Sequence, residues 1–127
     1  MPSIDAVAVS TTDMARSIAF YSALGFDFTG ADPSQDHVEP KPVPGSARLM
    51  IDSARLLESI SNARPRPASH SAFSLLCDSP GQVDALAGAV AEAGFTVTKP
   101  PWDAFWGQRY AIVQDPDGYL VDLFAPL

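Results

Sequence analysis

The sequence has few cysteines and few basic residues, and each scarcity excludes a class of protein. Cys77 is the single cysteine among 127 residues, which excludes an internal disulfide and is typical of a protein in a reducing cytoplasm. Eight lysines and arginines stand against fifteen aspartates and glutamates, which gives a net charge of −7. Because nucleic-acid binding needs clustered basic side chains for the phosphates, this balance argues against a nucleic-acid partner.

Long apolar runs are missing as well. No stretch approaches the roughly 20 apolar residues that a membrane-spanning helix requires. Residues 1–5 lack the basic and apolar regions of a secretory signal, so we expect a cytoplasmic protein with no membrane partner. The length, 127 residues, corresponds to one compact domain over residues 1–127.

The first half of the chain has the pattern of a strand, a helix and further strands. Met14, Ile18 and Tyr21 share one helical face behind the N-cap candidates of residues 10–13, and Gly25 suits the end of that helix. The predicted order is strand Ile4–Val9, the helix, strand Phe26–Thr29, a proline-rich loop over residues 30–45, strand Ala47–Asp52, a segment Leu56–Ile60 of unassigned type, and a linker over residues 61–69.

The second half repeats this order. Ser79 and Gln82 form a capping box with Pro80 at the first helical position, and Gly94 closes the helix as Gly25 closes the first. The predicted order is strand His70–Cys77, the helix, strand Phe95–Thr98, and a hairpin of Tyr110–Val113 and Tyr119–Phe124 around the turn Asp115–Gly118. The sequence therefore predicts an α+β fold of two βαβββ modules, at about residues 1–62 and about residues 68–127.

Strand alternation predicts that the two sides of the sheet differ. One side is bulky and apolar and suits packing under a helix. The other side is small or polar and comprises Ala6, Ala8, Met50, Asp52, His70, Ala72, Ser74 and Asp122. Since protein interiors are close-packed, small residues on several facing strands predict a cupped sheet with a cavity for a small molecule.

Two motifs resemble those of a known superfamily. The segment Thr12–Tyr21 with Leu24–Phe26 resembles the opening motif of the glyoxalase, bleomycin-resistance and extradiol-dioxygenase group, the vicinal oxygen chelate superfamily. The segment Trp106–Tyr110, followed by Asp115–Gly118, resembles its closing motif, so the resemblance covers nearly the whole chain. It implies paired βαβββ modules that form a cupped mixed sheet, commonly in a homodimer whose pockets include residues of both chains.

The resemblance also implies where metal ligands would lie. The first position is Ala6, the second is Met50 or Asp52 depending on register, the third is His70, and the fourth is Asp122 in place of the usual Glu. Alanine cannot bind a metal, and a catalytic divalent site usually has at least three protein ligands. We therefore expect no metal and no other cofactor, with Ala6, His70 and Asp122 as vestigial positions and no catalytic residue.

Three large aromatic side chains, Trp102, Phe105 and Trp106, lie within five residues. Such rings either fill a core or form the wall of a site for a flat apolar molecule. We expect the second, with polar and other contacts from His37, Arg48, Met50, His70 and Asp122.

This arrangement predicts a metal-free protein that sequesters a bulky, largely aromatic antibiotic or related natural product, in the manner of the family's drug-resistance members. One alternative is a metal-dependent lyase, isomerase or dioxygenase of the glyoxalase type. Another is a cofactor-free enzyme that uses His70 as a general base.

Overall fold

The computed structural model describes residues 1, 3–67 and 72–127, and this part of the chain contains seven strands and three helices. The elements in chain order are β1 (Ala6–Thr11), α1 (Met14–Ala23), β2 (His37–Val38), β3 (Arg48–Ser53), α2 (Ala54–Ser61), β4 (Phe73–Leu76), α3 (Pro80–Glu92), β5 (Thr96–Ala104), β6 (Gln108–Gln114) and β7 (Leu120–Pro126). None of the helices in this part of the chain combines the length and the apolarity that a membrane span needs.

The strands form two sheets in which the same pairing occurs twice. The first sheet has the order β1-β3-β2 and the second has the order β4-β7-β6-β5. In each sheet the first strand of the module runs parallel to the last one, β1 beside β3 and β4 beside β7, and the other neighbours are antiparallel. The predicted α+β class with two related modules is therefore confirmed, with the strands divided between two sheets.

The predicted strand at Phe26–Thr29 is wrong, because local hydrogen bonds turn the chain there. The Asp27 carboxylate accepts a hydrogen bond from the Thr29 backbone N–H at 2.9 Å, and such short-range bonds compete with a strand ladder. Phe28 packs into the core, and Gly30 follows with a φ of +83°. The second module has the predicted βαβββ order, whereas the described part of the first module has β1, α1, β2 and β3 followed by α2.

Helix ends follow the predicted capping chemistry. The side chains of Asp13 and Ser79 accept hydrogen bonds at the starts of α1 and α3, and Pro80 occupies the first turn of α3. Gly25 and Gly94 follow these helices at φ values of +99° and +86°, which are open to glycine without a steric cost.

The unassigned segment Leu56–Ile60 lies within α2. The Ser53 hydroxyl caps this helix by accepting from the Leu56 N–H at 3.1 Å. Asn62 ends it in the left-handed conformation, with a φ of 59°.

The hydrophobic core lies between the helices and one side of each sheet. On β7 the alternate residues Val121, Leu123 and Ala125 are buried, and α3 packs against this side of the second sheet. Val9 and Ile51 are the corresponding buried residues of the first sheet. The intervening residues point away from the helices, and we call this second side of each sheet its open face.

A buried hydrogen bond joins the two modules. Tyr21 of α1 donates from its hydroxyl to Oδ2 of Asp115 at 2.9 Å, while Oδ1 accepts from the backbone N–H groups of Asp117 and Tyr119. Burial, together with the Asp115 carboxylate, raises the pKa of Tyr21 far above its usual range. Burial also raises the pKa of Asp115. The predicted turn at Asp115–Gly118 is confirmed, and it fixes α1 as well.

Candidate ligand-binding site

The open face of the second sheet carries a row of large apolar side chains across all four of its strands. In register, Leu76 of β4 lies opposite Phe124 of β7, Phe124 opposite Tyr110 of β6, and Tyr110 opposite Trp102 of β5. The Tyr110 and Phe124 rings stack with centroids 6.2 Å apart, and the Trp102 ring meets Tyr110 edge to face at 5.5 Å. We call these four side chains the aromatic row.

Trp106 and Phe105 extend the aromatic row beyond the β5–β6 turn. The Trp106 ring lies 6.0 Å from Trp102 and 5.4 Å from Tyr110, and Phe105 contacts it at 5.0 Å, all edge to face. The Trp106 indole N–H donates to the Gln108 side-chain oxygen at 2.9 Å, which fixes the ring's direction. Phe105 is 97% exposed and Trp106 is 49% exposed, so this surface is apolar and open to solvent.

Two charged groups lie among these rings. The Tyr110 hydroxyl donates to Oδ2 of Asp122 at 2.5 Å. Partial burial and this carboxylate raise the pKa of Tyr110, so the phenol stays protonated at neutral pH. At the other edge, Nζ of Lys99 lies 4.7 Å from the centroid of the Trp102 ring, within the range of a cation–π contact.

The open face of the first sheet carries charged side chains instead. Nδ1 of His37 lies 2.5 Å from Asp52 Oδ1, and its Nε2 lies 2.8 Å from Glu39 Oε2. Arg48 forms ion pairs with Glu39 and Asp5, each at 2.8 Å. Because both His37 ring nitrogens face carboxylates, the imidazolium form donates a hydrogen bond from each of them. Its hydrogen bonds to Asp52 and Glu39 raise the pKa of His37. We call these five residues the charged cluster.

The structure distributes the predicted site residues between the two open faces. Trp102, Phe105, Trp106 and Asp122 lie on the second sheet, whereas His37, Arg48 and Met50 lie on the first. In the described part of the chain, no hydrogen bond, ion pair or aromatic contact joins the charged cluster to the aromatic row. His70 lies outside the described residues. The predicted set therefore forms two groups within one chain.

The positions at which the resemblance implies metal ligands do not form a metal site in the residues that the structure describes. Ala6 has no donor atom in its side chain, Oδ1 of Asp52 is bound to His37, and Oδ2 of Asp122 is bound to Tyr110. Within residues 1, 3–67 and 72–127, no three His, Cys, Asp or Glu side chains converge as ligands would. The described positions of this set therefore leave fewer free donors than the three protein ligands of a usual catalytic divalent site, and the remaining position, His70, lies outside the described residues.

A concave space adjoins one edge of the aromatic row. A cavity of about 660 Å³ opens between residues 43–46 and the strand β4, and Ser74 and Leu76 form part of its wall. Leu76, the member of the aromatic row at this edge of the sheet, is 69% exposed. The described chain thus offers an open apolar surface beside a cleft.

Sequence reasoning missed several members of both groups. Tyr110, Phe124 and Leu76 belong to the aromatic row, and Glu39 and Asp5 belong to the charged cluster. Alternation gives a usable signal for Phe124, because it shares a strand face with Asp122. Glu39 also has a local signal, because it lies two residues from His37 and contacts it at 2.8 Å. Tyr110, Leu76 and Asp5 meet their partners only where separate segments of the chain come together, for which the sequence carries no local signal.

The fold defines a class of protein, namely α+β proteins built from two related modules whose sheets each have a helix-covered side and an open face. The chain belongs to the Glyoxalase/Bleomycin resistance protein/Dioxygenase superfamily, whose sequence profile matches residues 3–123. The resemblance inferred from the two motifs is therefore confirmed. None of the curated proteins compared with this chain matches it.

Solved structures of the same superfamily have this fold. A glyoxalase-related enzyme from Fulvimarina pelagi gives a TM-score of 0.83 at 18% identity, covering 98% of this chain and 88% of that one. A hypothetical protein from S. aureus gives 0.79 at 23% identity, covering 98% and 94%. A lactoylglutathione lyase from Agrobacterium tumefaciens gives 0.69 at 20% identity, covering 97% and 92%. At these identities the likeness shows the fold alone.

Proposed function

We propose that the protein is a metal-free binding protein that sequesters a bulky, largely aromatic small molecule, an antibiotic or a related natural product, and so confers resistance to it. The observation that carries this proposal is the aromatic row with Trp106 and Phe105 on an open sheet face. Leaving such an apolar surface in contact with water costs free energy, and a flat apolar ligand that covers the surface removes this cost.

The energetics of ring stacking support tight binding without chemistry. Each buried aromatic side chain can remove about 150–250 Å² from water, and apolar area contributes about 25 cal/mol per Å². Several rings that each give up part of this area to a ligand supply enough to offset the association cost of about 4–15 kcal/mol. The aromatic contacts within the row also hold the rings in place before a ligand arrives, which lowers the ordering cost on binding.

The polar groups on the open faces support binding more than catalysis. The imidazolium form of His37, which its two carboxylate partners favour, donates from both nitrogens and so has no lone pair with which to act as a general base. Tyr110 is held protonated by partial burial and by Asp122, so it is not a base either. The Cys77 thiol is buried, and burial raises its pKa and so disfavours the nucleophilic thiolate.

The proposal includes a homodimer in the cytoplasm. The charged cluster and the aromatic row lie on different sheets of one chain, and a second copy is the simplest means of bringing them to one ligand. In that arrangement residues 30–45, which contain His37, face the rings of the partner, and His37, Arg48 and Met50 supply the orienting contacts together with His70 and Asp122. A buried single cysteine fits a reducing compartment.

Equilibrium dialysis tests the proposal. The purified protein is dialysed against planar polycyclic antibiotics, for example an anthracycline, and against aromatic metabolites, with elemental analysis of the same sample. We expect one or more of these compounds to bind at micromolar concentration or below, and we expect a chelator to change nothing.

Two other results would point elsewhere. Stoichiometric metal, with a lyase, isomerase or dioxygenase activity that a chelator removes, would replace the proposal by the metal-enzyme alternative. A metal-free activity whose pH–rate profile changes slope near the ordinary pKa of histidine, and which is lost in His70→Ala, would favour a cofactor-free enzyme.

A further inference from the structure

A second row of side chains on the open face of the second sheet runs beside the aromatic row. In register, Ser74 of β4 lies opposite Asp122 of β7, and Asp122 lies opposite Ile112 of β6. Asp122 therefore occupies the middle of the face, one strand in from the edge and next to the rings of Phe124 and Tyr110. A ligand that lies on the Tyr110 and Phe124 rings therefore lies beside this carboxylate.

The hydrogen bond from Tyr110 to Asp122 uses the only proton of the pair, so a ligand meets only hydrogen-bond acceptors here. The Tyr110 hydroxyl has one proton and gives it to Oδ2 of Asp122. Oδ1 of Asp122 has no hydrogen-bond partner among the described residues, and none of the ion pairs in that part of the chain involves Asp122. A carboxylate accepts hydrogen bonds and cannot donate them, and covering it without a donor is costly.

The equivalent aspartate of the first sheet shows the contrast. Asp52 lies opposite Ser10 as Asp122 lies opposite Ser74, but Asp52 is bound by the imidazolium of His37. Its charge is therefore compensated within the protein. Among the described residues the partner of Asp122 is the neutral phenol of Tyr110, so within that part of the chain the negative charge at the middle of the aromatic face has no cation to compensate it.

We infer that Asp122 is the specificity-determining residue of the aromatic face, and that it selects planar ligands that bring an N–H or O–H donor to its Oδ1. This inference rests on the proposed function, since it concerns how the same face chooses among aromatic molecules. Molecules of the same ring size that lack a donor, or that carry a carboxylate in its place, bind more weakly because they leave the Asp122 carboxylate desolvated or opposed by a like charge.

A matched set of naphthalenes tests the inference by equilibrium dialysis. The probes are 2-naphthol (a neutral donor), 2-naphthylmethylamine (a cationic donor), 2-methoxynaphthalene (no donor) and 2-naphthoate (an anion). We expect 2-naphthol to bind about tenfold more tightly than 2-methoxynaphthalene, as a hydrogen bond to a charged acceptor implies, and 2-naphthoate to bind most weakly. The first two probes distinguish a neutral donor from a cation.

Three variants assign the preference to its atom. Asp122→Asn should reduce the tenfold ratio to about threefold or less, because the amide oxygen is a weaker acceptor than the carboxylate. Tyr110→Phe should keep the preference, since it leaves the carboxylate in place. Asp103→Asn removes the same charge from the same sheet, but Asp103 pairs with Arg109 away from the open face, so the ratio should stay at about tenfold.

The outcomes separate the inference from the proposed function. Equal affinities for 2-naphthol and 2-methoxynaphthalene in the unaltered protein overturn the inference while leaving the aromatic site in place. A tenfold preference that persists in Asp122→Asn overturns the inference as well, because a group other than the Asp122 carboxylate would then accept the ligand's hydrogen bond. Failure of all four naphthalenes and of the polycyclic compounds to bind overturns the proposed function, and the inference with it.

Discussion

The last strand of each module, β3 in the first and β7 in the second, lies beside the module's first strand in the same parallel register. Ile51 and Leu123 are both fully buried on the helix side of these strands. On the open side, each strand carries an aspartate opposite a serine, Asp52 opposite Ser10 and Asp122 opposite Ser74. The two modules thus share their framework down to a pair of side chains.

They differ in what surrounds that pair. Around Asp52 the neighbouring side chains are charged and bind one another, as His37 does with both Asp52 and Glu39. Around Asp122 the neighbours are rings, and Tyr110 gives it only a neutral hydrogen bond. The helix side of each sheet is constrained by packing, whereas the open side is free to change, so the function of this chain is expected on the side where the modules have diverged.

The largest expected effect tests the shared framework. Ile51→Ala and Leu123→Ala each remove a large side chain from a fully buried position at equivalent places in the two modules. Each should lower the free energy of unfolding by about 2–5 kcal/mol, and the two losses should be similar. Urea denaturation followed by circular dichroism measures both. A loss below about 1 kcal/mol in one variant only would mean that the two modules do not share one type of core.

The next effect concerns the open faces. Trp102→Ala combined with Trp106→Ala should weaken binding of an aromatic ligand at least about tenfold, because both rings belong to the proposed contact surface. Neither ring is part of the buried core, so the fold should remain. Equilibrium dialysis measures the affinity, and circular dichroism measures the fold.

The matched control for that variant lies on the other module. His37→Ala combined with Arg48→Ala should weaken binding less than about fivefold, since exposed ionic contacts contribute only about 0–1 kcal/mol each. Cooperative loss of folding in the tryptophan variant would show that its rings belong to the core. A greater loss of affinity in the His37 and Arg48 variant would move the site to the first sheet.

An effect on stability that is smaller than that of the core variants tests the connection between the modules. Tyr21→Phe removes the buried hydrogen bond to Asp115 and should lower the free energy of unfolding by about 1.5–3 kcal/mol, since the acceptor is a carboxylate. Tyr119→Phe is the matched control, because its half-buried hydroxyl bonds to the neutral Ser10 hydroxyl at 2.9 Å. That variant should lose about 0.5–1.5 kcal/mol. If both variants lost the same amount, the Asp115 carboxylate would not be the important partner.

These contrasts also show which features the sequence can reveal. Asp13, Ser79 and Pro80 act on backbone groups within a few residues, so their capping roles follow from local spacing. The side of β7 that is buried follows from alternation alone, as Leu123 and Phe124 illustrate. The sequence therefore predicted the helix ends, the turn and the two-sided character of the strands.

Contacts between side chains on neighbouring strands could not be predicted in this way. Tyr110 meets Asp122 only because β6 and β7 pair in one register, and the Trp102 ring reaches Tyr110 past two irregularities in the pairing of β5 with β6. A shift of one residue in the register would place these side chains on the other side of the sheet. The predicted strand at Phe26–Thr29 was wrong for a local reason, since the hydrogen bond from the Thr29 N–H to the Asp27 carboxylate overrides the alternation there.

The smallest expected effect concerns the charge of the first open face. The folded protein raises the pKa of His37 above its ordinary value of 6.5, so the cluster's stabilisation is complete below about pH 6.5 and is lost as the pH rises through the raised pKa. Because His37 is 45% exposed, solvent screening limits this contribution to about 1 kcal/mol or less. His37→Gln should therefore be less stable than the unaltered protein at about pH 6, and the difference should shrink towards about pH 9, as measured by urea denaturation. Tyr110→Phe provides the control on the second face, since the Tyr110 phenol stays protonated around pH 6 and its removal should have a similar effect at both pH values. If the difference between His37→Gln and the unaltered protein grew with rising pH, the ring would be neutral in the folded state, and Asp52 would be as uncompensated as Asp122.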